Sequence, residues 1–148
     1  MEIESLEIFQ YLQSCDPISH LEEAEQKSLV HEVEIIYAKR GEQILKPGED
    51  NGWLYVIRSG AVERIESDGT IIAKFGEKDF FGHASIRRGG KILRQVIAVE
   101  DTLLYRIPAD NFLELFEHNP YFRYYFERND SNNNFFKDIQ KRTVGGLN

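Results

Sequence analysis

Between Glu34 and Pro108, glycine-centred turns return roughly every ten residues: Arg40-Gly41, Pro47-Gly48, Asn51-Gly52, Ser59-Gly60 and Asp68-Gly69. Short apolar runs lie between them: Ile35-Ile36-Tyr37, Ile44-Leu45, Trp53 to Ile57, Ala61 to Ile65, Ile71 to Phe75, Val96 to Val99 and Leu103 to Ile107. Strand-like runs stopped this often by chain-reversing residues confine the stretch to an all-β sandwich or barrel. Ser59-Gly60 and Asp68-Gly69 have the composition of two-residue hairpin turns. The interior is assigned to Trp53, Val56, Val62, Ile65, Phe75, Val96, Leu104 and Ile107.

On both sides of this stretch the apolar period is helical. Leu6, Ile8, Phe9 and Leu12 mark a first helix, which Asp16-Pro17 stops. Ser19 followed by Glu22 predicts a capping box for a second helix carrying Leu21, Ala24, Leu29 and Val33. Phe112, Leu115 and Phe116 give a third helical face that ends at Asn119-Pro120. Tyr121 to Phe126 then holds five aromatics in six residues, too many for one helix to bury against one core. The surplus predicts a homodimer or a contact with a downstream effector domain; packing on the β region through Phe122 with Tyr125 or Phe126 is the plainer reading. Asn129 to Asn134 reads as a polar break, Phe135, Phe136 and Ile139 as one or two further turns, and Val144 to Asn148 as a frayed end. The chain thus divides into an N-terminal helical segment 1–33, a β region 34–108, and C-terminal helices with a tail 109–148.

Hydrophobic content of 41% and charged content of 29% are those of a soluble globular protein. A net charge of −7 argues against a nucleic-acid partner, which requires a basic face. No apolar run approaches the ~20 residues of a membrane span, so no membrane partner is expected. Cys15 stands alone, which excludes an intrachain disulfide and suits a cytoplasmic location. His20, His31, His83 and His118 have no metal-ligand spacing, and neither a Walker-type loop nor a nucleophile elbow occurs. The chain is read as a binding module rather than an enzyme. A small cupin-type metalloenzyme is a distant alternative that would need several histidines and a carboxylate to converge.

Charge is distributed unevenly. Phe80 to Val99 contains Arg87, Arg88, Lys91 and Arg94 and no acid, a window of +4 in a chain of −7. Gly82-His83-Ala84-Ser85 opens the window with backbone N–H groups and a hydroxyl able to hold a phosphate. His83 could donate to a ribose or a phosphate, and Arg94 could grip two phosphate oxygens. Arg87, Arg88 and Lys91 sit around Gly89-Gly90 and read as exposed charges able to attract an anion, with Arg87 or Arg88 next in line as the anchor. The residues after Phe126 are too few and too polar for a helix-turn-helix, which sets aside a DNA-binding regulator.

In order and spacing these segments resemble the cyclic nucleotide-binding domain family over about Leu21 to Phe126. Arg40 to Glu49 is similar to its first hairpin, Tyr55 to Val62 to its central hairpin, Gly76 to Gly82 to the entry of its phosphate cassette, and Ala98 to Pro108 to its exit strands. The resemblance implies a mainly β fold with flanking helices: a double-stranded β-helix, a jelly-roll-like β roll, between N-terminal and C-terminal helices, with the cassette at 80–95. It implies a regulatory sensor in signal transduction whose ligand is a small anionic nucleotide such as cAMP, with no other cofactor. The family places a glutamate after the cassette glycine, for the ribose 2′-hydroxyl; here His83 follows Gly82. Its phosphate-binding arginine would fall on Ile92, with Arg94 two residues further along the same strand face, ~6–7 Å away. The expectation is altered or lost cyclic nucleotide affinity, the alternative being a degenerate domain used only for dimerisation or interdomain packing. The exit strands also resemble N-terminal sensor domains of bacterial signalling proteins that continue into cystathionine-β-synthase-type repeats.

Overall fold

The computed structural model describes residues 1–131. Helix α1 (Ile3–Gln13), a 3₁₀ turn (Ile18–His20) and α2 (Glu23–Val30) precede strands β1 (Glu34–Ala38), β2 (Gln43–Leu45), β3 (Trp53–Ser59), β4 (Val62–Ile65), β5 (Ile71–Phe75) and β6 (Phe80–Phe81). A five-residue helix α3 (His83–Arg87) leads to β7 (Gln95–Ala98), β8 (Thr102–Pro108), α4 (Ala109–His118) and α5 (Pro120–Ser131). The strands form two antiparallel four-stranded sheets, ordered β1-β8-β3-β6 and β2-β7-β4-β5. This is the β roll with flanking helices that the turn spacing and the resemblance imply.

Two cores follow from the alternation of side chains along the strands. Between the sheets lie Ala38, Leu45, Tyr55, Ile57, Val62 and Phe81, with Ile92, Val96, Ala98 and Leu104. Leu54, Val56, Tyr105 and Ile107 face the other way and are covered by Phe9, Leu12, Phe112, Phe122 and Phe126 of the helices. Of the eight assigned interior residues, Val56, Val62, Ile65, Val96, Leu104 and Ile107 are buried, while Trp53 and Phe75 are half-buried at the edge of the roll. Trp53 is capped by the Arg106 guanidinium 3.9 Å above its ring.

Four local expectations change. Ser59-Gly60 is not a hairpin turn, because β3 and β4 belong to different sheets. Gly60, at φ +102°, packs so close to Thr102 that a Cβ would lie 2.5 Å from its hydroxyl, and this tight corner carries the chain from one sheet to the other. Asp68-Gly69 does turn a hairpin, but with one residue more: the Glu66 N–H donates to the Thr70 carbonyl at 2.9 Å, leaving a three-residue loop with Gly69 at φ +90°. The capping box sits three residues later than expected, with Glu22 as N-cap and the Glu25 carboxylate accepting from the Glu22 N–H at 3.3 Å; Ser19 is taken up in the 3₁₀ turn. Helix α5 continues through Asn129 to Ser131, where a polar break was expected. The expected turns at Phe135, Phe136 and Ile139 and the frayed end lie outside the described residues.

The aromatic run divides by helical facing. Phe122 and Phe126 are fully buried in the helix-covered core, Tyr125 is half-buried, and Tyr121 and Tyr124 are exposed. Tyr121 donates its hydroxyl to the Asp16 carboxylate at 2.9 Å and lies 4.3 Å from the His20 ring, tying the start of α5 to the N-terminal segment. No helix among the described residues is long and apolar enough to cross a membrane.

Candidate functional site

The cassette begins where β6 ends. Gly82 stands at φ +94°, and a Cβ there would lie 2.9 Å from the Trp53 carbonyl, so the position requires glycine. The buried Asn51 fastens this corner. Its Nδ2 is shared among the Trp53 carbonyl (2.9 Å), the Gly82 carbonyl (3.1 Å) and Ser85 Oγ (3.0 Å), and its Oδ1 accepts from the Trp53 N–H at 3.0 Å. Ser85 Oγ also donates to the Gly82 carbonyl at 2.9 Å. Its hydroxyl is therefore employed in holding α3 onto β3. Gly89 and Gly90, both at positive φ, then return the chain towards the second sheet, where the Asn51 N–H donates to the Gly90 carbonyl at 2.6 Å.

Between α3 and the inner face of the second sheet is a cavity of about 220 Å³. Its wall includes Leu45, Val96 and Arg64, directly opposite one another across three strands, together with Ile92. Three of these are buried and apolar; the fourth is an arginine. Arg88, from the end of α3, and Arg94, just before β7, also line the cavity, and no carboxylate does. Arg94 Nε donates to Glu66 Oε1 at 2.7 Å, outside the lining. Burial first, and then repulsion from Arg94 and Arg88, pulls the Arg64 guanidinium down to about 10; burial and then Arg94 lower Arg88 as well. Arg64 lies 5.1 Å from the centre of the Phe75 ring. Cations collected on an apolar wall raise the energy of the unliganded state, and an anion entering the cavity relieves it.

The candidate residues named from the sequence separate here. Gly82, Ala84, Ser85 and Arg94 border the cavity; His83 and Arg87 do not. His83 turns to the opposite side of α3 and packs its ring 4.9 Å from Phe126. Burial, followed by the repulsion of Arg64 and Arg87, pulls its pKa down to about 3, so the imidazole is neutral throughout the physiological range. It is a core residue, not a group at the cavity mouth. Arg87 lies over the Phe116 ring at 4.7 Å. Ile92, at the position where the resemblance implied an arginine, is buried in the core of the roll. Arg64 is not among those named from the sequence; Arg88 is exposed, as expected, and also borders the cavity. The signal for Arg64 was present: it stands two residues after the inward-facing Val62 on the same strand, so a period-two reading places its guanidinium inside. Among the described residues no three of His, Cys, Asp and Glu converge as metal ligands would.

A family model described as the cyclic nucleotide-binding domain matches residues 35–119, more than half of the chain. No curated protein matches in sequence. Several solved structures share the fold. The regulatory subunit of a cAMP-independent protein kinase A from Trypanosoma cruzi, bound to guanosine, superposes with a TM-score of 0.78 at 19% identity over 96% of this chain and 51% of that one. The sensor domain of the transcriptional regulator DNR from Pseudomonas aeruginosa does so with a TM-score of 0.75 at 19% identity, covering 88% of this chain and 90% of the other. The regulatory domain of Toxoplasma gondii protein kinase A, crystallised with cAMP, has a TM-score of 0.68 at 17% identity over 77% and 45% of the two chains. This chain thus spans about half of the Trypanosoma structure (51%).

Proposed function

The chain belongs to the cyclic nucleotide-binding domain family, and on that premise we propose that it is a regulatory module that senses a small anionic nucleotide in its arginine cavity, with altered affinity for ordinary cyclic nucleotides. One observation carries this reading: Arg64, Arg88 and Arg94 line a single cavity that no carboxylate lines. A volume of about 220 Å³ suits a phosphate with its sugar, below the ~300 Å³ at which pockets for drug-sized ligands begin. Leu93 is 54% exposed at the rim and offers an apolar surface to a base. The altered affinity follows from His83. Where the family resemblance puts a carboxylate for the ribose 2′-hydroxyl, this chain has an imidazole packed on Phe126.

The relay runs through α3. A ligand drawn towards Arg88 and Ala84 pulls on a helix whose other side touches α5, and α4 with α5 repacks about Pro108 and Pro120 as one population gains on another. The output is carried by a partner domain, within a longer chain or in trans. The neighbours named as a kinase regulatory subunit and as the sensor of a transcriptional regulator support that kind of role. The exposed Tyr121 and Tyr124 are the contact we assign to that partner or to a second copy.

A degenerate, ligand-free scaffold is the second reading, favoured by the internal engagement of Ser85 Oγ and Arg94. Calorimetric titration with cAMP, cGMP and inorganic phosphate separates the two. Heat of binding within the millimolar range, weakened at least tenfold by Arg64→Ala, is expected, since a charge-assisted bond to a buried phosphate is lost. Silence from all three ligands would leave the scaffold reading.

A further inference from the structure

The cavity holds more positive charge than a cyclic phosphodiester can neutralise. Arg94 already has a counter-charge in Glu66, at 2.7 Å. Arg64 and Arg88 have none: among the described residues their recorded contacts are the Phe75 ring, 5.1 Å from Arg64, and the Lys91 carbonyl, which accepts from Arg88 Nη2 at 3.4 Å. Lys91 itself is paired with Asp50 at 3.8 Å and does not line the cavity. Two guanidiniums thus remain without a counter-charge at the cavity, Arg64 half-buried in the row with Leu45 and Val96 and Arg88 exposed at the end of α3. A phosphate closed into a ring ionises once and has two non-bridging oxygens. A terminal phosphate monoester carries about −1.5 to −2 at neutral pH, has a second pKa of about 6, and offers three acceptor oxygens.

Resting on the sensor reading above, we propose that the cavity selects a terminal phosphate, as in a nucleoside monophosphate, over the cyclic diester. The dianion neutralises Arg64 and Arg88 while Glu66 keeps its hold on Arg94. Each of the three guanidiniums can take one oxygen in a charge-assisted hydrogen bond. The cyclic monoanion leaves one of Arg64 and Arg88 without a counter-charge, which costs most at the half-buried Arg64. No side chain in the lining supplies a carboxylate to favour the ring through its ribose hydroxyl.

The test compares adenosine 5′-monophosphate, 3′,5′-cyclic AMP and inorganic phosphate by titration calorimetry on the 148-residue chain at pH 7.5 and pH 5. At pH 7.5 the 5′-monophosphate should bind at least tenfold more tightly than cyclic AMP. At pH 5, below the second phosphate pKa, that advantage should shrink towards parity, while cyclic AMP binding stays flat. The groups facing the phosphate do not confuse this result. Arg64, Arg88 and Arg94 line the cavity with no carboxylate among them, Glu66 acts on it only through Arg94, His83 is held neutral on the far side of α3, and His20, His31 and His118 do not line the cavity. Arg64→Ala should abolish the preference for the monophosphate. Inorganic phosphate binding at pH 7.5 and weakening at pH 5 would support the same terminal-phosphate recognition without the nucleoside. Cyclic AMP binding as tightly as the monophosphate at pH 7.5 overturns the proposal and leaves the sensor reading standing. No binding by any of the three removes the sensor reading and this proposal together.

Discussion

The two sides of α3 meet opposite environments although the helix is only five residues long. On one side His83 is buried among the aromatic rings of the helical core and kept neutral. On the other, Ala84 and Ser85 face a cavity into which Arg64, Arg88 and Arg94 bring positive charge. Arg64 and Arg87 also act across the helix, since their charge is part of what lowers His83. One side is packed against aromatic rings; the other holds cations, two of them with no carboxylate beside them. A short element with one side in each environment is suited to transmit the filling of the cavity to α5, because it cannot move one side without moving the other.

The aromatic side should dominate stability. Phe126 is fully buried and packs against Phe80, Phe112, Phe122 and His83 at ring separations of 4.9 to 5.6 Å. Phe126→Ala should cost about 3–5 kcal/mol, combining lost transfer energy with a cavity. The shift in denaturant midpoint measures it. A loss under ~1 kcal/mol would mean that α5 is held elsewhere, through the Tyr121–Asp16 contact, and that the dry side of α3 does not depend on it.

His83 gives the next largest effect, and its sign is fixed by the direction of its shift. Its folded pKa, about 3, lies below the 6.5 of the unfolded chain. The unfolded state therefore binds the proton first as the pH falls, and stability present above pH 6.5 is lost progressively towards pH 3, at up to about 1.4 kcal/mol per pH unit. Carboxylates add their own acid loss, so the test is a difference: urea unfolding of His83→Leu should show a shallower decline between pH 6.5 and 4 than the parent chain. Identical slopes would show that the imidazole reaches water and that the contrast across α3 is weaker than the packing implies.

What the sequence disclosed depended on how local the signal was. Strand–turn alternation and the apolar faces of the first helix and α4 rest on neighbours within a few residues; the need for glycine at position 82 does not, because it is set by the Trp53 carbonyl, remote in the sequence. The hairpin assigned to Ser59-Gly60 failed because sheet membership is non-local: Gly60 is forced into its corner by Thr102, which is remote in the sequence. Gly82, Ala84, Ser85 and Arg94 could be named because charge and small residues cluster in one window. Arg64 lies outside that window, on a strand read for its apolar content; its inward facing was legible from its place two residues after Val62, but its neighbours Val96 and Ala73 come from the sheet register. His83 was misplaced for a related reason: a polar residue following the cassette glycine suggests a ligand contact, whereas the direction of its ring is set by α5, some forty residues further on.

The smallest expected effect on stability falls on the charged side and sharpens the contrast most. Arg94 and Glu66 are both partly exposed, with side chains 46% and 41% accessible, and exposed pairs of this kind contribute ~0–1 kcal/mol. Glu66→Gln should therefore leave the unfolding midpoint nearly unchanged. Its effect on the cavity should be larger, because it releases the one guanidinium that has a counter-charge and adds a third uncompensated cation. Binding of adenosine 5′-monophosphate should tighten several-fold at low ionic strength. The gain should fade as salt is raised and screening shortens to about 8 Å near 0.15 M. Weaker binding in Glu66→Gln would break the assignment of Glu66 as a competitor for Arg94. The carboxylate would then be what aims Arg94 at the ligand, and the cation side of α3 would be ordered before any anion arrives.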